Sequence, residues 1–136
     1  MIDVSATTFA SGKGAFLDGT VKVAYRSGHD GQEGWAILEP GATRTWVISL
    51  HGHGSMGAQL FTRRDIATTW MPCIREHGLG ILAPNLRGNA WMCGAAVEDL
   101  HDLVAFVRES CDAERFIGIS GSMGGTGMLI YAVHHP

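Results

Sequence analysis

The sequence predicts an α/β fold: a mostly parallel sheet with helices on both faces and an antiparallel strand pair at its beginning. Three observations carry this. Nearly continuous apolar runs recur at Trp46 to Leu50, Leu79 to Ala83 and Phe116 to Ile119, the pattern of strands covered on both sides. Stretches with helical apolar spacing separate and follow them, and strand–helix alternation of this kind implies parallel strands joined by crossovers. Ahead of them, Val21, Val23 and Tyr25 alternate with Lys22, Ala24 and Arg26, the period of a strand with one wet face. At 136 residues the chain has room for a single domain, which we expect to run from residue 16 to 136 behind an arm of residues 1 to 15.

That arm is polar and glycine-bearing, a loose or edge segment. Its Ser11-Gly12-Lys13-Gly14 lacks both the earlier glycine and the leading strand of a phosphate loop. Trp35 to Leu38 makes the second strand of the opening pair, and the residues between have the composition of a hairpin connection. After the Trp46 to Leu50 strand, Leu60, Ile66, Trp70 and Ile74 recur at roughly four-residue spacing and predict a helix ending near His77-Gly78. Pro72 should kink that helix or open a second short one. From Ala96 to Glu109, Val97, Leu100, Leu103, Val104 and Val107 form one apolar stripe. Glu98, Asp99 and Asp102 in its early turns read as a solvated face. A last helix should run from Met123 to about Val133.

Composition narrows the function. A net charge of −3 offers no basic face for nucleic acid, and nowhere does the chain approach the ~18 consecutive apolar residues of a membrane span. Cys73, Cys93 and Cys111 suggest neither a disulfide framework nor a thiolate metal site, so the chain reads as a cytoplasmic protein with reduced thiols. Trp35, Trp46, Trp70 and Trp91 read as core or rim packing, with Trp91 placed to line a pocket.

The chemistry gathers in three loops, His51 to Gly57, Asn85 to Asn89 and Ser120 to Gly125. All lie at carboxyl ends of the apolar strands, where ligands bind in such sheets. Ser120-Gly121-Ser122-Met123-Gly124-Gly125 crowds small residues around Ser122 at a strand-to-helix turn, the setting of an exposed nucleophilic serine. An attacking serine generates an oxyanion, and the Met123 N–H at the head of a helix can meet it. His51-Gly52-His53-Gly54 can bring a second backbone donor close to substrate. The alternative for His51 and His53 is a metal site, but further ligands at suitable spacing are missing, so no metal or cofactor is expected.

These motifs resemble the first half of an α/β-hydrolase, over about residues 17 to 136. Ser120 to Gly124 matches the superfamily's Gly-x-Ser-x-Gly elbow with Ser120 for the leading glycine, His51-Gly52 matches its oxyanion loop, and Arg87-Gly88 matches a turn after its next strand, with Asn85 where aspartate is usual. The resemblance implies an incomplete α/β-hydrolase-type fold and a serine hydrolase of carboxylic ester or related acyl bonds. Its roles would be Ser122 as nucleophile, Met123 and His53 as backbone oxyanion donors, and His51, Gly52, Gly54 and Gly124 as supporting residues. In that family the acid and histidine follow the nucleophile. Here only MGGTGMLIYAVHHP follows Ser122, without an acid, and His134 lies twelve residues along the helix, about 18 Å away. The expectation is therefore an N-terminal portion of a longer hydrolase, its triad unfinished. A catalytically incomplete module serving association or binding is the alternative. Either way the strand before Ser122 would be an unfinished sheet edge open to self-association.

Overall fold

The computed structural model describes residues 3–8 and 16–136, so the Ser11 to Gly14 stretch lies outside the described residues. Six strands, β1 (Asp3–Thr8), β2 (Val21–Arg26), β3 (Glu33–Glu39), β4 (Thr45–Leu50), β5 (Gly80–Pro84) and β6 (Arg115–Ser120), form one sheet in the order β1-β2-β3-β5-β4-β6. The sheet is mixed. β5, β4 and β6 run parallel, whereas β1, β2 and β3 pair antiparallel and β3 meets β5 antiparallel. Part of the N-terminal arm is thus an edge strand, its backbone paired from Asp3 opposite Arg26 to Thr8 opposite Val21.

Helices cover both faces. On one side α1 (Gln59–Thr62) and α2 (Arg64–Glu76) close over Ile37, Val47 and Ile81 with Leu60, Phe61, Met71 and Ile74. On the other, α3 (Gly94–Cys111) and α4 (Met123–His134) cover Trp46, Ile48 and Leu82, and the expected α3 stripe of Val97, Leu100, Leu103, Val104 and Val107 is buried there. Among the described residues no helix is long and apolar enough to cross a membrane.

Three local expectations are corrected. The helical break falls at Arg63, whose extended backbone (φ −79°, ψ 112°) separates α1 from α2, and Pro72 sits inside α2 on its solvent side. Because α2 starts afresh at Arg64, its inward face is Ala67, Met71 and Ile74, and Trp70 is turned out, 48% exposed. Asp99 is not solvated: it is 2% exposed and receives hydrogen bonds from Ser27 Oγ (2.5 Å) and Arg87 Nε (2.7 Å).

Arg87 uses all five of its N–H donors here. Besides Asp99 it reaches Asp30 through Nη1 (2.7 Å) and Nη2 (2.8 Å), Gln32 Oε1 (2.8 Å) and Ser27 Oγ (2.9 Å). A buried charge is tolerable only when paired and hydrogen-bonded to this degree. The result joins the β2–β3 hairpin, the loop after β5 and α3 into one unit. A second, partly buried pair, Arg75 to Glu39 in two 2.8 Å bonds, ties α2 to the end of β3.

Beside the Arg87 cluster, the Tyr25 hydroxyl is buried without a hydrogen-bond partner among the described residues, and burial pushes its pKa well above the usual phenol range. An unpaired buried hydroxyl destabilises, so Tyr25→Phe is expected to raise stability by about 1 kcal/mol, readable as a higher midpoint in urea at unchanged slope.

Candidate active site

Ser122 stands where β6 ends and α4 begins. Its backbone is held at φ 55°, ψ −130°, a region that non-glycine residues enter only under constraint, typically at ~1–3 kcal/mol. The constraint comes from both neighbours. On the helix side, a Cβ on Gly124 would run into the Leu50 and His51 carbonyls, so only glycine lets α4 lie this close to the end of β4. On the strand side, the Ser120 hydroxyl accepts the Leu50 N–H (2.9 Å) and donates to the Ile119 carbonyl (2.6 Å). Ser120 thus does more than fit the space of the expected glycine: it fastens the elbow to β4. The Ser122 carbonyl accepts the Thr126 N–H (3.1 Å), the first bond of the new helix.

The loop after β4 lies beside the elbow. A Cβ on Gly52 would be 4.0 Å from that of Ser122, so the backbone at Gly52 passes close to the serine. His51 is buried, with Nδ1 2.9 Å from the Gly52 carbonyl and Nε2 2.9 Å from the Asn85 carbonyl, which makes it a brace between two loops. His53 is exposed, its ring 5.9 Å from that of Trp91.

Three amide side chains hold this loop, and the sequence reading missed all of them. Gln59 Oε1 accepts the Gly52 N–H (3.2 Å), Asn89 Oδ1 accepts the Gly54 N–H (2.8 Å), and Asn85 Oδ1 accepts the Gly57 N–H (3.0 Å). The available signal was a pair of asparagines flanking the Arg87-Gly88 turn at the same rim. Among the described residues, no such partner takes the His53 or Met123 N–H, and Met123 directly follows Ser122 at the start of α4.

Ser122 opens onto a cavity of about 370 Å³ on the α2 face, walled by Leu60, Arg63, Ile66, Trp70 and Ile119. On the α3 face, a void of only about 20 Å³ lies between Trp91, Met92 and Met123. Among the described residues, no histidine or carboxylate hydrogen-bonds the Ser122 hydroxyl, and no group of three or more His, Cys, Asp or Glu side chains is placed to hold a metal ion. His134 and His135 lie at the far end of α4, where the His135 ring stacks on that of His101 at 3.9 Å.

No protein-family model matches the sequence, and no curated protein matches it by sequence. The fold does have a solved counterpart, the peroxisomal alpha-beta-hydrolase Lpx1 from Saccharomyces cerevisiae. It superposes at a TM-score of 0.54 and 15% identity, covering 100% of this chain and 41% of the yeast protein. The chain therefore has the fold of a partial α/β-hydrolase and spans less than half the length of that structure.

Proposed function

We propose that this chain is the nucleophile-bearing part of a serine hydrolase acting on a small-molecule carboxylic ester or related acyl bond. The observation that carries the reading is Ser122, held at a positive φ between β6 and α4 and exposed to a cavity large enough for substrate. The Ser122 Oγ attacks the carbonyl carbon, a new C–O bond forms, and the carbonyl electrons move onto oxygen. The Met123 N–H, at the head of α4, and the His53 N–H receive that charge. Collapse expels the alcohol and leaves an acyl-serine, which water then cleaves. The serine proton needs an acceptor, and that base comes from outside the described residues or, for activated esters, from solvent. Three free thiols suit a reducing compartment such as the cytoplasm.

A p-nitrophenyl ester tests this. Acylation asks less of a base than deacylation when the leaving group is good. The wild-type chain should therefore release a burst approaching one equivalent of p-nitrophenolate and then stall, with the acyl mass on Ser122. A burst of equal size in Ser122→Ala would overturn the assignment.

A second reading has its own observation. β6 is an edge strand with Ile117 47% exposed, and α4 presents Leu129 (72%) and Val133 (81%) to solvent. Such a face favours association. A folded chain whose Ser122 never acylates would favour this binding role alone.

A further inference from the structure

We infer that the cavity on the α2 side of Ser122 is an apolar subsite that takes an uncharged chain or ring of the substrate, with Trp70 and Ile66 setting its selectivity. This rests on Ser122 being the nucleophile. Trp70 is half exposed on a helix whose inward face is made by other residues, so folding does not account for it. It lines the cavity with Ile66, Leu60 and Ile119, all apolar, and Ser122 lines the same cavity.

Three polar groups around the same space are already engaged. The Arg63 guanidinium binds Asp65 through Nε (3.2 Å) and Nη2 (2.6 Å), so its charge is met before any ligand arrives. Gln59 holds the Gly52 N–H, and the Ser120 hydroxyl is bonded on both sides. Ser49 and Ser122 are the cavity hydroxyls without a hydrogen-bond partner among the described residues, and of the two only Ser122 is exposed, which suits a substrate with one reacting carbonyl and an otherwise mostly apolar body. The α3-side void of about 20 Å³ holds little more than a single water, so a larger group must lie toward Trp70. At ~30 Å³ per water-sized group, the α2-side cavity accommodates about a dozen non-hydrogen atoms. That is a medium alkyl chain or one aromatic ring, and the remainder of a longer chain would extend into solvent.

The occupant could come from the acyl or the alcohol half of an ester, and a matched series separates them. p-Nitrophenyl acetate, octanoate and palmitate vary the acyl group, and 2-octyl-4-nitrophenyl acetate, which keeps an activated leaving group, varies the alcohol. Ser122 acylation is followed by mass, and in Ser122→Ala, quenching of indole fluorescence by octanol and octanamide reports the cavity without chemistry. Octanoate should acylate at least about tenfold faster than acetate and palmitate. Trp70→Ala should erase that ratio, as should Ile66→Ser, and quenching should be saturable and lost in Trp70→Ala. A preference for 2-octyl-4-nitrophenyl acetate over p-nitrophenyl acetate instead would assign the subsite to the alcohol. Acylation with no chain-length dependence would overturn the subsite while leaving the nucleophile standing. Trp70-dependent quenching without any acylation would keep the subsite and remove the nucleophile, and absence of both would remove both.

Discussion

Arg87→Ala is expected to destabilise the fold by on the order of 3 kcal/mol, among the larger effects open to a single substitution here. The reason is what it leaves behind. Asp99 is 2% exposed, and without the guanidinium its carboxylate keeps, among the described residues, only the Ser27 hydroxyl as a hydrogen-bond partner while remaining out of water. Arg87→Ala combined with Asp99→Ala should recover part of the loss, because the uncompensated charge is then gone; a double-mutant cycle in urea measures the coupling.

Acid titration gives a second readout of the same cluster. Arg87 holds the Asp30 carboxyl far below the usual carboxylate range, chiefly through their hydrogen bonds. A folded-state pKa below the unfolded value means stability that is present above about pH 4 and lost as pH falls from there toward the folded value. Arg87→Ala should therefore flatten the acid limb of the stability profile, by a modest amount because Asp30 is solvent-facing. An unchanged midpoint in urea together with an unchanged acid limb would show that the cluster does not hold these elements together.

The second large effect concerns two adjacent glycines with opposite expected outcomes. At Gly124 a Cβ meets the Leu50 and His51 backbone, which cannot step aside, so Gly124→Ala must push α4 off the end of β4. A loss of about 2 kcal/mol or more is expected, with Ser122 acylation abolished because the elbow moves. At Gly125 a Cβ would have its nearest neighbour outside α4 3.4 Å away, the Ser120 carbonyl oxygen, an ordinary contact. Gly125→Ala should be neutral or stabilising by about 0.5 kcal/mol through helix propensity, with acylation retained. Equal responses at the two positions would contradict the close approach of α4 to β4.

Local signals were enough to read the scaffold. The apolar run through Ile119 and the small residues around Ser122 announced the strand, the turn and the helix, and the α3 stripe appeared with all five of its residues buried. What escaped depended on distant partners. Asp99 looks like an ordinary acidic residue in an early helical turn because its burial is decided by Ser27 and Arg87, on other elements. Trp70 looked inward because the spacing from Leu60 was read through Arg63 as one helix; the extended residue resets the phase. Asn85, Gln59 and Asn89 carry no periodic signal, and their role emerges only when the loops after β4 and β5 meet. β1 was hard to read for a related reason: an edge strand is stabilised by pairing with β2, which a polar segment can do as well as an apolar one.

The central claim is that the elbow makes Ser122 a nucleophile, and site-mapped fluorophosphonate labelling tests it most directly. The folded chain, treated with the probe and digested, should carry one adduct, on Ser122, absent from Ser122→Ala and retained in Gly125→Ala. An adduct on another residue, or none on a chain shown to be folded, would contradict the account.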